Sequence, residues 1–190
     1  MKGVNLFLAD GFEEIEALAT VDILRRGGVD VKMVSIMGSL RVTGAHGIVV
    51  TADLSFADLA AGPAGKTGPA DAMIFPGGMP GAAHLASDKE LIDRMVEHDK
   101  AGGVVAAICA APGLVVSQLP DLAGRRFTCY DGFEEAPSAR GAEYVQAPAV
   151  VCGNLVTGRG PAFAIDFALA VLEVIAGEGA AAAVRKGMLL

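Results

Sequence analysis

The chain has 190 residues, 53% of them hydrophobic and 19% charged. That is enough apolar material for one domain over residues 1–190 with a substantial core, and it argues against disorder. A net charge of −7 argues against a surface dedicated to nucleic-acid phosphates. The three cysteines are widely spaced and make neither a disulfide framework nor a zinc motif, so a reduced, cytoplasmic protein is expected.

In chain order, Val4–Leu8 reads as an apolar strand. No signal peptide is expected, because Asp10, Glu13 and Glu14 follow at once with no cleavage-type apolar region. No membrane span is expected either, because no apolar window is long enough. Glu13–Arg26 reads as a helix, with Ile15, Leu18, Ala19, Asp22 and Ile23 near helical spacing and Gly27-Gly28 ending it. Val31–Ile36 is the next strand, and Arg41–Thr51 reads as a hairpin turning at Gly44–Gly47. Residues 52–59 are ambiguous, and 60–70, rich in Gly, Ala and Pro, read as a loop. Ala72–Phe75 is a buried strand ending at Pro76-Gly77-Gly78. Ser87 and Glu90 form a capping-box pattern for a helix running to about Lys100. His84 and His98, in or near that helix, are expected at the surface.

Val104–Ile108 is a short strand, apolar on both faces. Cys109 ends it, and a helix over about 112–119 follows, with Pro112 at an early position. Phe127–Tyr130, Val150–Cys152 and Leu155–Thr157 are candidate strands, the last two joined by Gly153-Asn154. Helices are expected over about 162–175 and 180–186. Alternation of strands and helices predicts an α/β fold with a mostly parallel sheet and helices on both faces. Sites in such folds form beyond the carboxyl ends of strands, and three segments stand there: 10–16, 76–78 and Cys109.

Cys109 on a strand-to-helix turn has the geometry of a nucleophile elbow. Backbone N–H groups and a helix dipole there favour a thiolate; taken alone the residue slightly favours a buried structural cysteine, and its partners elsewhere in the chain reverse that balance. Glu13 and Glu14 suit the first turn of a helix. Glu16 is placed to face partly inward, where burial and a neighbouring thiolate would keep its carboxyl protonated. Gly77-Gly78 allows close backbone approach, and with the N–H after Cys109 it would make an oxyanion hole. Cys152 reads as structural. Cys129 is balanced between packing and a secondary redox thiol.

These segments resemble the ThiJ/PfpI superfamily, in its parkinsonism-associated deglycase branch. The matching text is Leu8-Ala-Asp-Gly-Phe-Glu-Glu-Ile-Glu16, Val21-Asp-Ile-Leu-Arg-Arg-Gly27, Phe75-Pro-Gly-Gly78, Ala106-Ala-Ile-Cys-Ala-Ala-Pro112 and Thr157-Gly-Arg-Gly-Pro161. It continues into Ile165-Asp-Phe-Ala-Leu169, so the likeness covers essentially the whole chain in order. The resemblance implies a flavodoxin-like three-layer sandwich and a homodimer. It implies that Cys109 is the reactive cysteine, Glu16 its carboxylic partner, and Gly78 and Ala110 the backbone donors. It implies glyoxalase or deglycase activity on α-oxoaldehydes or glycated adducts with no metal or organic cofactor, and ready oxidation of Cys109 to a sulfinate. A redox-sensor or chaperone role is the alternative.

Three departures stand out. Ala110 follows the cysteine where peptidase-like members carry histidine, which argues against a cysteine hydrolase. Tyr130 stands nearest a place where the branch carries a histidine, and tyrosine is a poor base at neutral pH. His46 and Arg159 are candidates for holding an acidic product, with exposed spectators as the competing reading.

Overall fold

A computed structural model describes residues 1–61 and 67–190; the part of the expected 60–70 loop between them lies outside the described residues. In chain order the elements are β1 (Val4–Leu8), α1 (Glu14–Arg26), β2 (Val31–Ser35), β3 (Arg41–Thr43), β4 (Val49–Thr51), β5 (Leu54–Ser55) and α2 (Phe56–Ala61). They continue with β6 (Ala72–Phe75), α3 (Gly81–Ser87), α4 (Lys89–Lys100), β7 (Val104–Ile108) and α5 (Ala111–Leu114). After a 3₁₀ turn at Val116–Gln118 come β8 (Arg126–Phe127), α6 (Glu135–Ala139), β9 (Glu143–Tyr144), β10 (Ala149–Cys152), β11 (Leu155–Gly158), α7 (Ala164–Ala176) and α8 (Glu178–Gly187).

The main sheet runs β10-β11-β7-β6-β1-β2-β5, parallel except for β10 against β11. β1, β6 and β7 are buried at every position, which is why β6 and β7 read as unbroken apolar runs rather than alternating ones, and β1 as a run broken only by Asn5, whose amide donates to the Lys2 carbonyl at 2.9 Å. Helices α1, α7 and α8 pack on one another, and α3, α4 and α5 form a second group. Phe7 lies in the core between Phe75, stacked at 5.4 Å, and Phe56, edge-on at 6.0 Å. The strand order β2-β1-β6-β7-β11 is that of flavodoxin-like folds, whose sites sit where the order reverses between the first strand and its neighbour. Here that switch point lies between β1 and β6.

Several expectations are corrected. Ile15 and Leu18 are exposed, and α1 instead buries Glu14, Glu16, Ala17, Thr20, Val21, Ile23 and Leu24. The cap of α4 is Asp88, whose carboxylate accepts from the Leu91 N–H at 3.0 Å; Ser87 ends α3, a helix separate from α4. His98 is fully buried rather than at the surface. Its Nε2 bonds the Val104 carbonyl at 3.1 Å, which fixes that nitrogen as the protonated one. Burial holds its pKa down, at about 4. The helix expected over 112–119 is one short turn, Ala111–Leu114, followed by the 3₁₀ turn.

Candidate functional site

Glu16, Gly77, Gly78 and Cys109 meet beyond the carboxyl ends of β1, β6 and β7. Cys109 follows Ile108 with φ +66°, a conformation rare for residues with a side chain. Its N–H donates to the Gly158 carbonyl at 2.9 Å, and its own carbonyl accepts from the Tyr130 N–H at 2.9 Å. The two flanking bonds hold the strained elbow and turn the sulfur toward α1.

On α1 the local chemistry is set by Glu13. It precedes the helix in an extended conformation, and its carboxylate accepts the Glu16 N–H at 2.7 Å, an N-cap. The Glu13 N–H donates to the Gly77 carbonyl at 2.9 Å, and the Gly77 N–H donates to Glu16 Oε2 at 2.7 Å. Gly77 therefore ties the helix start to the end of β6 from both of its backbone groups. A Cβ on Gly77 would stand 2.5 Å from the Cys109 Cβ and 2.7 Å from Glu16 Oε2. Gly78 has φ +86°, and a side chain there would meet Glu13 N and the Gly11 carbonyl. The resemblance named Gly78 alone as a backbone donor. The neighbouring glycine is as constrained, and the Gly-Gly pair was the available signal.

Glu16 is wholly buried, and burial raises its pKa to about 7. Its Oε1 has no hydrogen-bond partner, although the carboxyl lies close enough to Cys109 for each group to act on the other's ionisation. Protonated, the carboxyl becomes a donor beside the sulfur. The thiol departs from expectation. Burial first, then the Glu16 carboxylate, push Cys109 up to about 12, while the Gly78 and Ala110 N–H groups pull the other way. The reason is in the fold: the sulfur is buried, α5 is a four-residue turn with little dipole to offer, and burial together with an ionised neighbour outweighs two backbone donors.

The remaining candidates are dispersed around this centre. Tyr130 is exposed, its ring beside Gly160. Arg159 lies one residue past Gly158, which pairs with Ile108 across the β11–β7 ladder. Arg159 is not a free cation: its guanidinium holds Asp131 at 2.9 Å. His46 is likewise paired, its Nδ1 2.7 Å from Glu14 Oε2 and its N–H on Glu14 Oε1 at 2.7 Å. Neither Asp131 nor Glu14 was marked as a partner from the sequence, since acidic residues in a loop or first helical turn read as solvated. Glu13, Glu14 and His46 offer donor atoms within 4.8 Å of one another. All three are already engaged, Glu13 as the cap of α1 and the other two with each other. Cys129 is fully buried and pushed up to about 12, by burial and then by Glu134 and Asp131. Cys152 is partly buried, its sulfur 3.4 Å from the Arg126 N–H.

The family model described as the DJ-1/PfpI family matches residues 2–174. The chain belongs to the DJ-1/PfpI family. Protein DJ-1 homolog A of Arabidopsis thaliana is 34% identical over 100% of this chain, which spans 47% of that relative's length. A Caenorhabditis elegans DJ-1 relative named glutathione-independent glyoxalase DJR-1.2 is 30% identical over 87% of this chain and 83% of its own. Among solved structures, oxidized Toxoplasma gondii DJ-1 superposes with a TM-score of 0.88 at 30% identity, covering 98% of this chain and 97% of that one. The DJ-1 fold thus carries the flavodoxin-like strand order described above. Among the described residues no helix is long and apolar enough to cross a membrane.

Proposed function

We propose that this protein is a cofactor-independent glyoxalase or deglycase acting on α-oxoaldehydes such as methylglyoxal and glyoxal, or on their adducts, through Cys109 and Glu16. The observation that carries this reading is the buried Glu16 carboxyl, with an unpartnered oxygen and a pKa near 7, set against the sulfur of an elbow cysteine. A general base is most effective when its pKa lies near the working pH. The thiol is not a standing thiolate, so it needs that base as it attacks. The Cys109 sulfur bonds the aldehyde carbon, and its proton passes to Glu16. The new oxyanion faces the Gly78 and Ala110 N–H groups and takes that proton back from Glu16, giving a hemithioacetal and restoring the carboxylate. Glu16 then moves the proton from the former aldehyde carbon to the former ketone carbon through an enediol, while the hydroxyl proton passes from the former aldehyde oxygen to the former ketone oxygen, leaving a thioester. Water cleaves the thioester, releasing lactate and the free thiol.

Lactate formation from methylglyoxal by the wild type, lost in Cys109→Ser, is the test. Turnover that survives in Cys109→Ser refutes the reading. Ala110 and the absence of a histidine beside Cys109 weigh against peptidase chemistry.

A second reading, an oxidative-stress sensor or redox-regulated chaperone, is favoured by the same Glu16 oxygen. Protonated, it can donate to a Cys109 sulfinate formed by peroxide. No turnover in the wild type together with peroxide-dependent partner binding would favour this reading. We also infer a homodimer in a reducing, cytoplasmic setting. The exposed apolar side chains of Ile15 and Leu18 on α1, and of Ile48 and Val49 at the β3–β4 hairpin, offer apolar surface for a second copy.

A further inference from the structure

Beside Cys109 lies a cavity of about 270 Å³ lined by Tyr130, Asp131, Arg159 and the Gly160–Phe163 turn. Its link to the nucleophile is through the backbone. The Tyr130 N–H bonds the Cys109 carbonyl, and Arg159 follows the residue whose carbonyl takes the Cys109 N–H. Cys109 is not itself among the lining residues, so the cavity adjoins the elbow rather than containing it.

The cavity holds one cation, and that cation is already occupied. Arg159 presents its Nε–Nη2 edge to Asp131, with Nη2 at 2.9 and 3.1 Å from the two carboxylate oxygens and Nε at 3.3 Å from one of them. That two-point fork is the edge by which arginine recognises a carboxylate ligand. Arg159 is three-quarters buried, its side chain 25% exposed, whereas Asp131 is 67% exposed. The guanidinium is thus the fixed partner and the aspartate the outer one. Glu134, held by the Gly132 N–H at 2.7 Å, adds a second negative charge to the same loop. The other cation near the start of α1, His46, is also taken by a carboxylate.

We propose that Asp131 is a resident carboxylate that closes the Arg159 fork to carboxylate ligands. The cavity then admits uncharged α-oxoaldehydes and sheds the hydroxy-acid anions made from them. The substrate class rests on the glyoxalase reading. The closed fork rests on the ion pair alone. The logic is one of charge: the substrate enters neutral and the product leaves as an anion, so a free arginine beside the nucleophile would retain product. Asp131 is a selecting residue that acts through Arg159 and touches no reacting atom.

Ligand-observed NMR titrations at constant ionic strength test this, with sodium lactate as the anionic probe and lactamide as its neutral analogue. The proteins are the wild type, Asp131→Asn and Asp131→Asn/Arg159→Gln, with Asp131→Ser as a second opening variant. The exposed position of Asp131 makes loss of fold an unexpected outcome. Asp131→Asn and Asp131→Ser should bind lactate about tenfold tighter than the wild type, the scale of one charge-assisted hydrogen bond. Lactamide should gain nothing, and the double variant should return to the wild-type lactate affinity. Equal lactate affinity in the wild type and Asp131→Asn overturns the proposal, as does an equal gain for lactamide. A gain that survives removal of Arg159 overturns it too. None of these measurements needs turnover. Absent methylglyoxal turnover would remove the glyoxalase reading and leave the lactate comparison standing, whereas turnover with equal lactate affinities would do the reverse.

Discussion

Replacing Glu16 by glutamine should change how stability depends on pH, and by a calculable amount. The carboxyl is wholly buried, with its pKa raised from 4.5 to about 7. Between those values the folded protein keeps a proton that the unfolded chain has released. Stability therefore falls as pH rises through this window, and is fully present only below the unfolded value. At about 1.4 kcal/mol per unit the loss is about 3 kcal/mol. His98 works in the opposite sense. It stays neutral in the fold down to about 4 against an ordinary 6.5, so its contribution is present above pH 6.5 and is lost as pH falls toward 4. In the wild type the two slopes offset one another over much of the range. In Glu16→Gln only the His98 slope remains. The amide oxygen can still accept from the Gly77 N–H, and its NH₂ puts a donor where Oε1 has no partner.

The chain has no tryptophan, so urea unfolding followed by far-ultraviolet circular dichroism is the suitable assay. Wild type and variant, compared at pH 5, 6, 7 and 8, should diverge as pH rises, with Glu16→Gln the more stable at pH 8. The difference between their midpoints should change by about 1 M urea or more across the series. Taking the difference removes the His98 contribution common to both. Parallel curves would mean that Glu16 does not hold a proton in the fold, and the base assigned to Cys109 would go with it.

Three further outcomes follow from the same geometry. The Cys109 thiol should titrate lower in Glu16→Gln than in the wild type, because the carboxylate charge that raises it is gone; thiolate absorbance against pH, with Cys109→Ser as the blank, would contradict this by showing no fall. Gly77→Ala should lose activity and about 1–3 kcal/mol of stability, because its Cβ would lie 2.5 Å from that of Cys109; a melting temperature and turnover equal to wild type would show that the backbone there is free to yield. Methylglyoxal turnover should fall as pH drops through about 7, where Glu16 takes up its proton, and a rate flat from pH 6 to 8 would exclude it as the base.

What the sequence made legible follows from how locally each feature is determined. β1, β6 and β7 are buried on both faces, so their apolar runs mark them without knowledge of neighbours. The cysteine elbow is encoded the same way, by an apolar strand ending in small residues and a proline. Features that depend on a distant partner were less accessible. Asp131 acts through Arg159, 28 positions away, and Glu14 through His46, 32 positions away. A surface carboxylate and an ion-pair partner look alike until the chain folds.

The Cys109 thiol carries the same lesson into the chemistry. The elbow, the following helix and the backbone donors all argued for an anionic sulfur, and the elbow and the donors are there. The balance is decided first by burial of the thiol, and then by two quantities the sequence does not display, the ionisation of Glu16 and the length of α5. A one-turn helix contributes little dipole, and a carboxylate against the sulfur outweighs it. The sulfur and the carboxyl therefore cannot be treated as a nucleophile and a separate acid. Above the Glu16 pKa the pair carries one negative charge, and that charge lies on the Glu16 oxygen until the sulfur bonds a substrate carbon and its proton passes to Glu16. In the proposed reaction such a nucleophile is quiet without substrate and becomes competent with it. A reactive carbonyl would thus find a thiol that spends little time as the exposed thiolate peroxide attacks.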